Sequence, residues 1–279
     1  SVDTHYFTRA IVDNSKILPK VKLKFDGMDL ATGGLRYTFP ATKKDIVIDQ
    51  RMYIGPKKRE LLSQADTRLA GVLDLGFFSF IGNPILDLLQ FFHRLFGNWG
   101  LAIILMTFVV RLLLLPFNVV SFKSMKKMQV IQPQLQALKE KHKDDRDTLN
   151  QETMRLMKES GANPISGCLP MLLQFPVFIA LFQVLGNAIE LYQAPFFMWI
   201  DDLSVRDPYF VLPVLMAVTM VLQQKLTPTN PDPTTKKAMM FVTVMFSALL
   251  VFYPSGLALY IFVGSLFSII QQLILMRDK

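Results

Sequence analysis

Hydrophobic positions along the chain follow a period of two up to about Lys58. Val21, Leu23 and Phe25 alternate with polar residues, as do Leu35, Tyr37 and Phe39, and Ile46 and Ile48 repeat the pattern. A period of two places alternate side chains on one face of a strand. Gly33-Gly34 falls between the first two runs, where a turn is expected. Three or four such strands cannot close a sandwich, so residues 1–70 read as the end of a larger antiparallel β domain, with a helical stretch from Lys57 to about Ala70 leading away from it. Between Asn83 and Gly97 the period becomes helical: Asn83, Asp87, Gln90 and Arg94 share one face, and Ile85, Leu88, Leu89, Phe92 and Phe96 the other, widened by Phe91 and Leu95. Asn83-Pro84 reads as a helix start and Gly97 as a stop. A helix of this kind, here within residues 71–97, lies flat in a bilayer interface; packing on the β domain is the alternative.

From residue 98 the pattern turns continuously apolar in five stretches, 98–119, 165–191, 209–224, 238–253 and 256–276. About 20 residues cross a hydrocarbon core about 30 Å thick. The third and fourth stretches reach only about 24 Å at about 1.5 Å per residue, which predicts local thinning of the bilayer. Trp99, Tyr192, Trp199, Tyr209 and Tyr253 fall at one set of ends, as an aromatic belt does. Residues 121–163 carry a second helical pattern. Met125, Met128, Ile131, Leu135 and Leu138 precede a charged turn at His142–Asp147, and Leu149, Met154, Leu156 and Met157 follow it, with Gly161 and Pro164 as stops. This predicts an antiparallel helical hairpin. The fold class is therefore an all-α polytopic membrane protein, with five transmembrane helices in residues 98–279 after the β segment and the amphipathic helix.

Composition supports that class. Hydrophobic residues make up 51% of the 279, charged ones 19%, and the mean hydropathy is +0.34. A net charge of +8 would suggest nucleic acid in a soluble protein; here it reports topology and anionic lipid. Residues 121–164 hold nine Lys or Arg, residues 225–237 three lysines, and the C-terminus Arg277 and Lys279. Residues 192–208 hold Arg206 against Asp201, Asp202 and Asp207. Positive loops stay in the cytoplasm, so the hairpin and C-terminus are expected inside, and the β region and the Trp199 loop outside. The single Cys168 excludes an internal disulfide.

One charge interrupts the first span. Arg111 follows Thr107 by one helical turn in the run Trp99–Pro116. A guanidinium there costs about 2.5–3.5 kcal/mol on insertion scales and does not deprotonate. No other apolar stretch holds an Asp or Glu except Glu190, at a segment end. Gln174, Gln183 and Asn187 in the second span and Tyr260, Ser265, Ser268, Gln271 and Gln272 in the last could line a wet cavity around Arg111. Interhelical hydrogen bonding is the competing reading for each of these alone. On the hairpin, Lys126, Lys127, Lys139, Lys141 and Lys143 form a basic surface suited to docking a ribosome, a targeting factor or an emerging polypeptide; a solvated connector is the alternative. Catalysis has no support: there is no G-x-S-x-G, H-E-x-x-H or phosphate loop, and no cofactor is implied.

Several runs then carry a resemblance. Gly97–Gly100, Thr107–Arg111, Ser124–Met128, Gln132-Pro133, Asn163–Pro170, Gln193–Pro195, Asp207–Tyr209 and Pro254–Gly256 occur in the order and character of the YidC membrane protein insertase family, of the Oxa/Albino/YidC group. The upstream β segment resembles the end of the periplasmic domain of Gram-negative members. The resemblance implies five helices around a hydrophilic groove open to the cytoplasm and lipid, with Arg111 at its electrostatic centre and Thr107 and Tyr260 touching the incoming segment. It implies insertion and folding of nascent inner-membrane proteins without nucleotide hydrolysis, with the ribosome, the Sec translocon, the signal recognition particle receptor and membrane lipids as partners. Ile261 stands where some members carry a second tyrosine. The family's first membrane helix and most of its periplasmic sandwich have no counterpart, so a processed or partial chain is expected. A small-anion transporter or channel built on Arg111 is the alternative, although no internal repeat marks one; a structural assembly factor is a third.

Overall fold

The computed structural model describes all residues except 1, 4–5, 18, 27–29, 40–46, 73–75, 143–144, 162–163, 228–232 and 278–279. The chain divides into two units, Ser1–Gly76 with Asn187–Glu190, and Phe77–Gly186 with Leu191–Lys279.

The first unit is built on antiparallel strands. β1 (Val2–Asp3), β2 (Phe7–Asp13) and β5 (Gln50–Pro56) form one sheet in the order β1-β2-β5, while β3 (Lys20–Asp26) and β4 (Leu30–Arg36) pair separately. Along β2 the alternation is complete: Thr8, Ala10 and Val12 are buried and their neighbours are not. Ala10 and Val12 pack on Leu62 of α1 (Arg59–Ala65) and on Leu69 of the 3₁₀ turn Thr67–Val72. The other face carries Phe7, Ile11, Met52 and Ile54, all exposed. That is an apolar sheet face of the kind a second layer covers in a sandwich.

Two sequence expectations fail here. Gly33-Gly34 is not a turn. It lies inside β4 opposite Leu23 and Lys22, and the reversal comes between the paired residues Asp26 and Leu30. A β-carbon on Gly33 would meet Leu23 Cδ2 at an ordinary contact distance of 3.5 Å, so the opposing strand rather than a need for glycine sets this position. Tyr37 and Phe39 lie beyond β4 with their rings stacked at 6.1 Å. Ile46 is outside the described residues, and Ile48 precedes β5 rather than belonging to a strand.

The second unit is helical: α2 (Ser79–Phe96), α3 (Trp99–Lys141), α4 (Arg146–Glu159), α5 (Pro164–Asn187), α6 (Val211–Leu226), α7 (Pro233–Leu250) and α8 (Ser255–Arg277). Helix α2 begins four residues before the expected Asn83 and encloses Pro84. The ring removes one early backbone bond, and packing outweighs the loss: Gly82, Ile85, Leu86 and Leu89 are buried, on the side of α2 that meets α3. Phe80, Asp87, Phe91, Arg94 and Leu95 are exposed together on the opposite face. Gly97 ends the helix in the left-handed region, φ 68°, as its position suggested.

Helix α3 departs most from expectation. Residues 98–119 and the start of the hairpin are not separate elements; one helix of 43 residues runs from the cap of Asn98, whose side chain accepts from the Leu101 amide, to Lys141. At about 1.5 Å per residue it is about 64 Å long, twice a hydrocarbon core. Pro116 and Pro133 each forfeit a single backbone bond within it. The hairpin is completed by α4, capped by Asp145, with Ile131 and Leu135 packed against Leu156 and Met157. Met154, expected on this seam, is 72% exposed.

Among the described residues, α3 and α8 are long and apolar enough to cross a membrane, and Leu172–Asn187, Val211–Leu226 and Lys237–Leu250 are shorter apolar helical stretches. Helix α8 packs against both α3 and α6, and α6 against α7. Ile103 and Met106 of α3, Leu181 and Leu185 of α5, Met216 of α6 and Leu257–Tyr260 of α8 supply buried side chains.

Candidate functional site

Helices α3 and α8 start from the same end of the unit. The Asn98 side-chain amide donates to the Phe196 carbonyl (3.1 Å), the Ser255 hydroxyl to the Asp202 carbonyl (3.0 Å), and the Gly256 amide to the Leu203 carbonyl (2.9 Å). The segment 191–210 thus ties both N-termini together, and the two helices descend side by side. The Phe196 ring lies so close over Gly100 that a β-carbon there would overlap it. Asp207, only 1% exposed, accepts from the Trp199 indole (3.1 Å) and from the amides of Tyr209 (3.0 Å) and Leu212 (2.7 Å). Carboxylates are favoured at such a helix start.

About 18 Å further along α3, twelve residues past Trp99, stands Arg111. Its residue surface is only partly buried, yet its Nε is enclosed and has no hydrogen-bond partner. The guanidinium lies on α8 at Gly264, with Nη2 2.5 Å and Nε 3.1 Å from the point where a β-carbon would sit. One turn before Gly264, the Tyr260 hydroxyl accepts from the Gln174 side chain (2.9 Å). Arg111, Gly264, Tyr260 and Gln174 therefore assemble one polar site from three helices. The remaining expected members differ. Thr107 is fully buried and its hydroxyl donates back to the Ile103 carbonyl (2.6 Å). Ser268 is 7% exposed and donates to the Gly264 carbonyl (3.0 Å). Ser265 is buried on α8. Thr107 and Ser268 thus have donors already engaged within their own helices. Among the described residues no group of His, Cys, Asp or Glu could hold a metal ion.

Comparison with known proteins then fixes the family. Residues 91–279 match the family described as 60Kd inner membrane protein, and residues 1–88 match the YidC periplasmic domain. The chain belongs to the YidC membrane protein insertase family. A membrane protein insertase YidC from Nitratidesulfovibrio vulgaris (strain Miyazaki F) is 44% identical over 287 residues, covering 99% of this chain and 53% of the relative. One from Francisella tularensis subsp. novicida is 43% identical over 273 residues, covering 98% and 50%. The chain spans about half the length of the curated relatives it matches. A solved structure of an active YidC insertase with its first transmembrane domain resolved aligns with TM-score 0.59 at 26% identity, over 97% of this chain and 65% of that one.

The basic surface of this YidC family member divides in two. Lys126 is not free for docking: its ammonium donates to the Leu275 carbonyl near the end of α8 (2.7 Å) and lies 5.3 Å from the centre of the Phe122 ring. Lys127, Lys139 and Lys141 are exposed, and Lys143 lies outside the described residues. Lys127 Nζ lies 3.7 Å from the β-carbon point of Gly161, just past the end of α4, where the helix dipole favours a cation. Lys141 borders a groove of about 430 Å³ between α3 and α4, floored by Ala137, Leu138 and Leu156 and edged by Arg155, which Glu159 and Glu152 pair at 2.9 and 3.7 Å.

Three functional features escape sequence reasoning. Asp202 and Asp207 count only as loop charge in the sequence, although an Asp two residues before a bonded amide is a local signal for the Asx turns both make. The roles of Gly264 and of Lys126 depend on helix pairing, which no local pattern encodes.

Proposed function

We propose that this protein inserts nascent inner-membrane proteins and assists their folding, and that Arg111 is the charge that draws a short acidic stretch of the substrate partway into the bilayer. The observation that carries this reading is the enclosed Arg111 guanidinium, held in an apolar helix with its Nε lacking a hydrogen-bond partner. A charge so placed is retained for a partner that arrives from outside the fold. Gln174 stands beside it, partly buried, and Tyr260, 1% exposed, backs the site through the hydrogen bond its hydroxyl accepts from Gln174. Thr107, Ser265 and Ser268 are buried in the helix packing rather than presented to the substrate. The groove opens toward the hairpin end, which faces the cytoplasm, while segment 191–210 closes the opposite end.

Short helices contribute as well. The 16 residues of α6 rise about 24 Å, less than a hydrocarbon core of about 30 Å. Thinning beside them shortens the path of the hydrophilic stretch. The substrate's apolar segment then partitions into lipid by hydrophobic transfer. A potential positive outside adds about 2.3 kcal/mol per acidic charge per 100 mV. No nucleotide enters these steps. Lys127, Lys139 and Lys141 present the hairpin to a ribosome or to the signal recognition particle receptor, and the Sec translocon is a further partner on this reading.

Reconstitution tests the proposal. In liposomes containing the intact protein, Arg111→Ala is expected to lower insertion of an acidic-tailed single-span substrate by about tenfold, the equivalent of about 1.4 kcal/mol. A neutral-tailed substrate is expected to be affected less. Unchanged insertion of the acidic substrate by both Arg111→Ala and Arg111→Glu rejects the electrostatic role.

A further inference from the structure

The Arg111 guanidinium is seated on a residue with no side chain. Its Nη2, Nε and Cζ lie 2.5, 3.1 and 3.2 Å from the β-carbon point of Gly264. Real β-carbons are not found at the first of these distances, so even a methyl group at residue 264 displaces the charge. Helix α8 is packed against α6 as well as α3. Phe108 of α3 meets Phe267 of α8 edge-to-face at 5.6 Å, immediately beside the contact. The Ser268 hydroxyl occupies the Gly264 carbonyl at 3.0 Å, so this carbonyl already holds a side-chain donor besides its helical partner. The guanidinium thus gains proximity to α8 without gaining a bond to it. Its charge is positioned but not neutralised.

We infer that Gly264 is a specificity-determining residue: its missing side chain fixes the depth and lateral position of the Arg111 charge, and so the preference for acidic over neutral substrate segments. This inference rests on the insertase reading above. The displaced atoms are the end of a flexible side chain rather than backbone, so a substitution at residue 264 moves the charge more readily than it disrupts the fold. Alanine is also the better helix former. The consequence falls on electrostatics. Shifting a unit charge by about 2 Å from a carboxylate first about 4 Å away removes about a third of their attraction, so if losing the whole charge costs about tenfold, the shift costs roughly twofold.

The test uses the intact protein in liposomes with two single-span substrates that differ only in an acidic or a neutral tail. Gly264→Ala is expected to lower acidic-tail insertion by roughly twofold, to lower neutral-tail insertion by less, and to leave the thermal midpoint in detergent unchanged or raised. Lysine has no guanidinium to meet the new methyl group, so in an Arg111→Lys background Gly264→Ala is expected to have no further effect. Gly264→Ala insertion equal to wild type on both substrates, with Arg111→Ala still defective, overturns the inference and leaves the insertase reading standing. A defect of equal size on both tails, or one that persists in the Arg111→Ala background, also overturns it, because the effect is then independent of the charge. An Arg111→Ala protein that inserts the acidic substrate normally removes the reading and the inference together.

Discussion

The two ends of the helical unit treat buried polar groups in opposite ways. At the Trp99 end, segment 191–210 satisfies what it buries. Asp207 takes three donors, the Asp202 carboxylate takes the Ser204 amide and hydroxyl, and the Phe196, Leu203 and Val205 carbonyls take donors from the starts of α3 and α8. Toward the other end lie the Nε of Arg111 and the Oε1 atoms of Gln224 and Gln272, each enclosed and lacking a partner. Buried polar groups are normally paired because leaving one unpaired costs about 1–3 kcal/mol. The paired end obeys that rule. The unpaired end carries a cost that folding alone does not explain.

This contrast predicts mutational effects of opposite sign. The largest belongs to the closed end. Asp207→Ala strands the Trp199 indole and two backbone amides, and is expected to destabilise the protein by about 3 kcal/mol or more. Denaturant unfolding in detergent micelles measures the loss, and a red shift of Trp199 emission in the folded state localises it. At the open end, Arg111→Met removes a charge whose enclosure is costly and whose Nε has no partner. Replacing buried charge with apolar volume is neutral or stabilising by about 1–4 kcal/mol. Arg111→Met is therefore expected to hold or raise the unfolding free energy in the same micelles while insertion of the acidic-tailed substrate falls. Destabilisation by Arg111→Met comparable to that by Asp207→Ala erases the distinction between the ends.

Much of this asymmetry is legible in the sequence, but unevenly. Arg111 stands out because one charge in an apolar run is a local anomaly, and the apolar stretches, the Gly97 stop and the hairpin heptads are local patterns too. Periodicity does not show where helices end when nothing breaks them: the first apolar stretch and the first hairpin helix read as separate elements, yet α3 runs through both, past Pro116 and Pro133, because packing along its length outweighs one lost bond at each. The same holds for Pro84 in α2. Pairing between distant elements is not legible at all. Thr107 shares the helical face of Arg111, but its hydroxyl turns back to Ile103; Lys126 belongs to a basic run, but it latches onto α8. Gly33-Gly34 has the composition of a turn and the position of a strand because the opposing strand, not the glycines, sets the register.

The β unit offers a control that separates burial from the number of hydrogen bonds. Asp66, like Asp207, receives three: the Arg68 amide and Nε on Oδ1 and the Arg68 Nη2 on Oδ2, each at 2.9 Å. Here the Arg68 side chain is 57% exposed and that of Asp66 14%, against 1% for Asp207. The hydrogen bonds from Arg68 hold the Asp66 carboxyl down at about 2, against an ordinary value of 3.8. A carboxyl depressed on folding contributes stability that is complete above its unfolded value and is lost as pH falls through its folded value. The gap in urea midpoint between the wild type and Asp66→Asn is therefore expected to be small, constant above about pH 5, and gone by about pH 1. Exposed pairs contribute little because solvent already stabilises both charges. If Asp66→Asn costs as much at neutral pH as Asp207→Ala, the strength of the closed end comes from its count of hydrogen bonds. If it costs far less, the strength comes from having made them away from water, which is the condition Arg111 meets without the bonds.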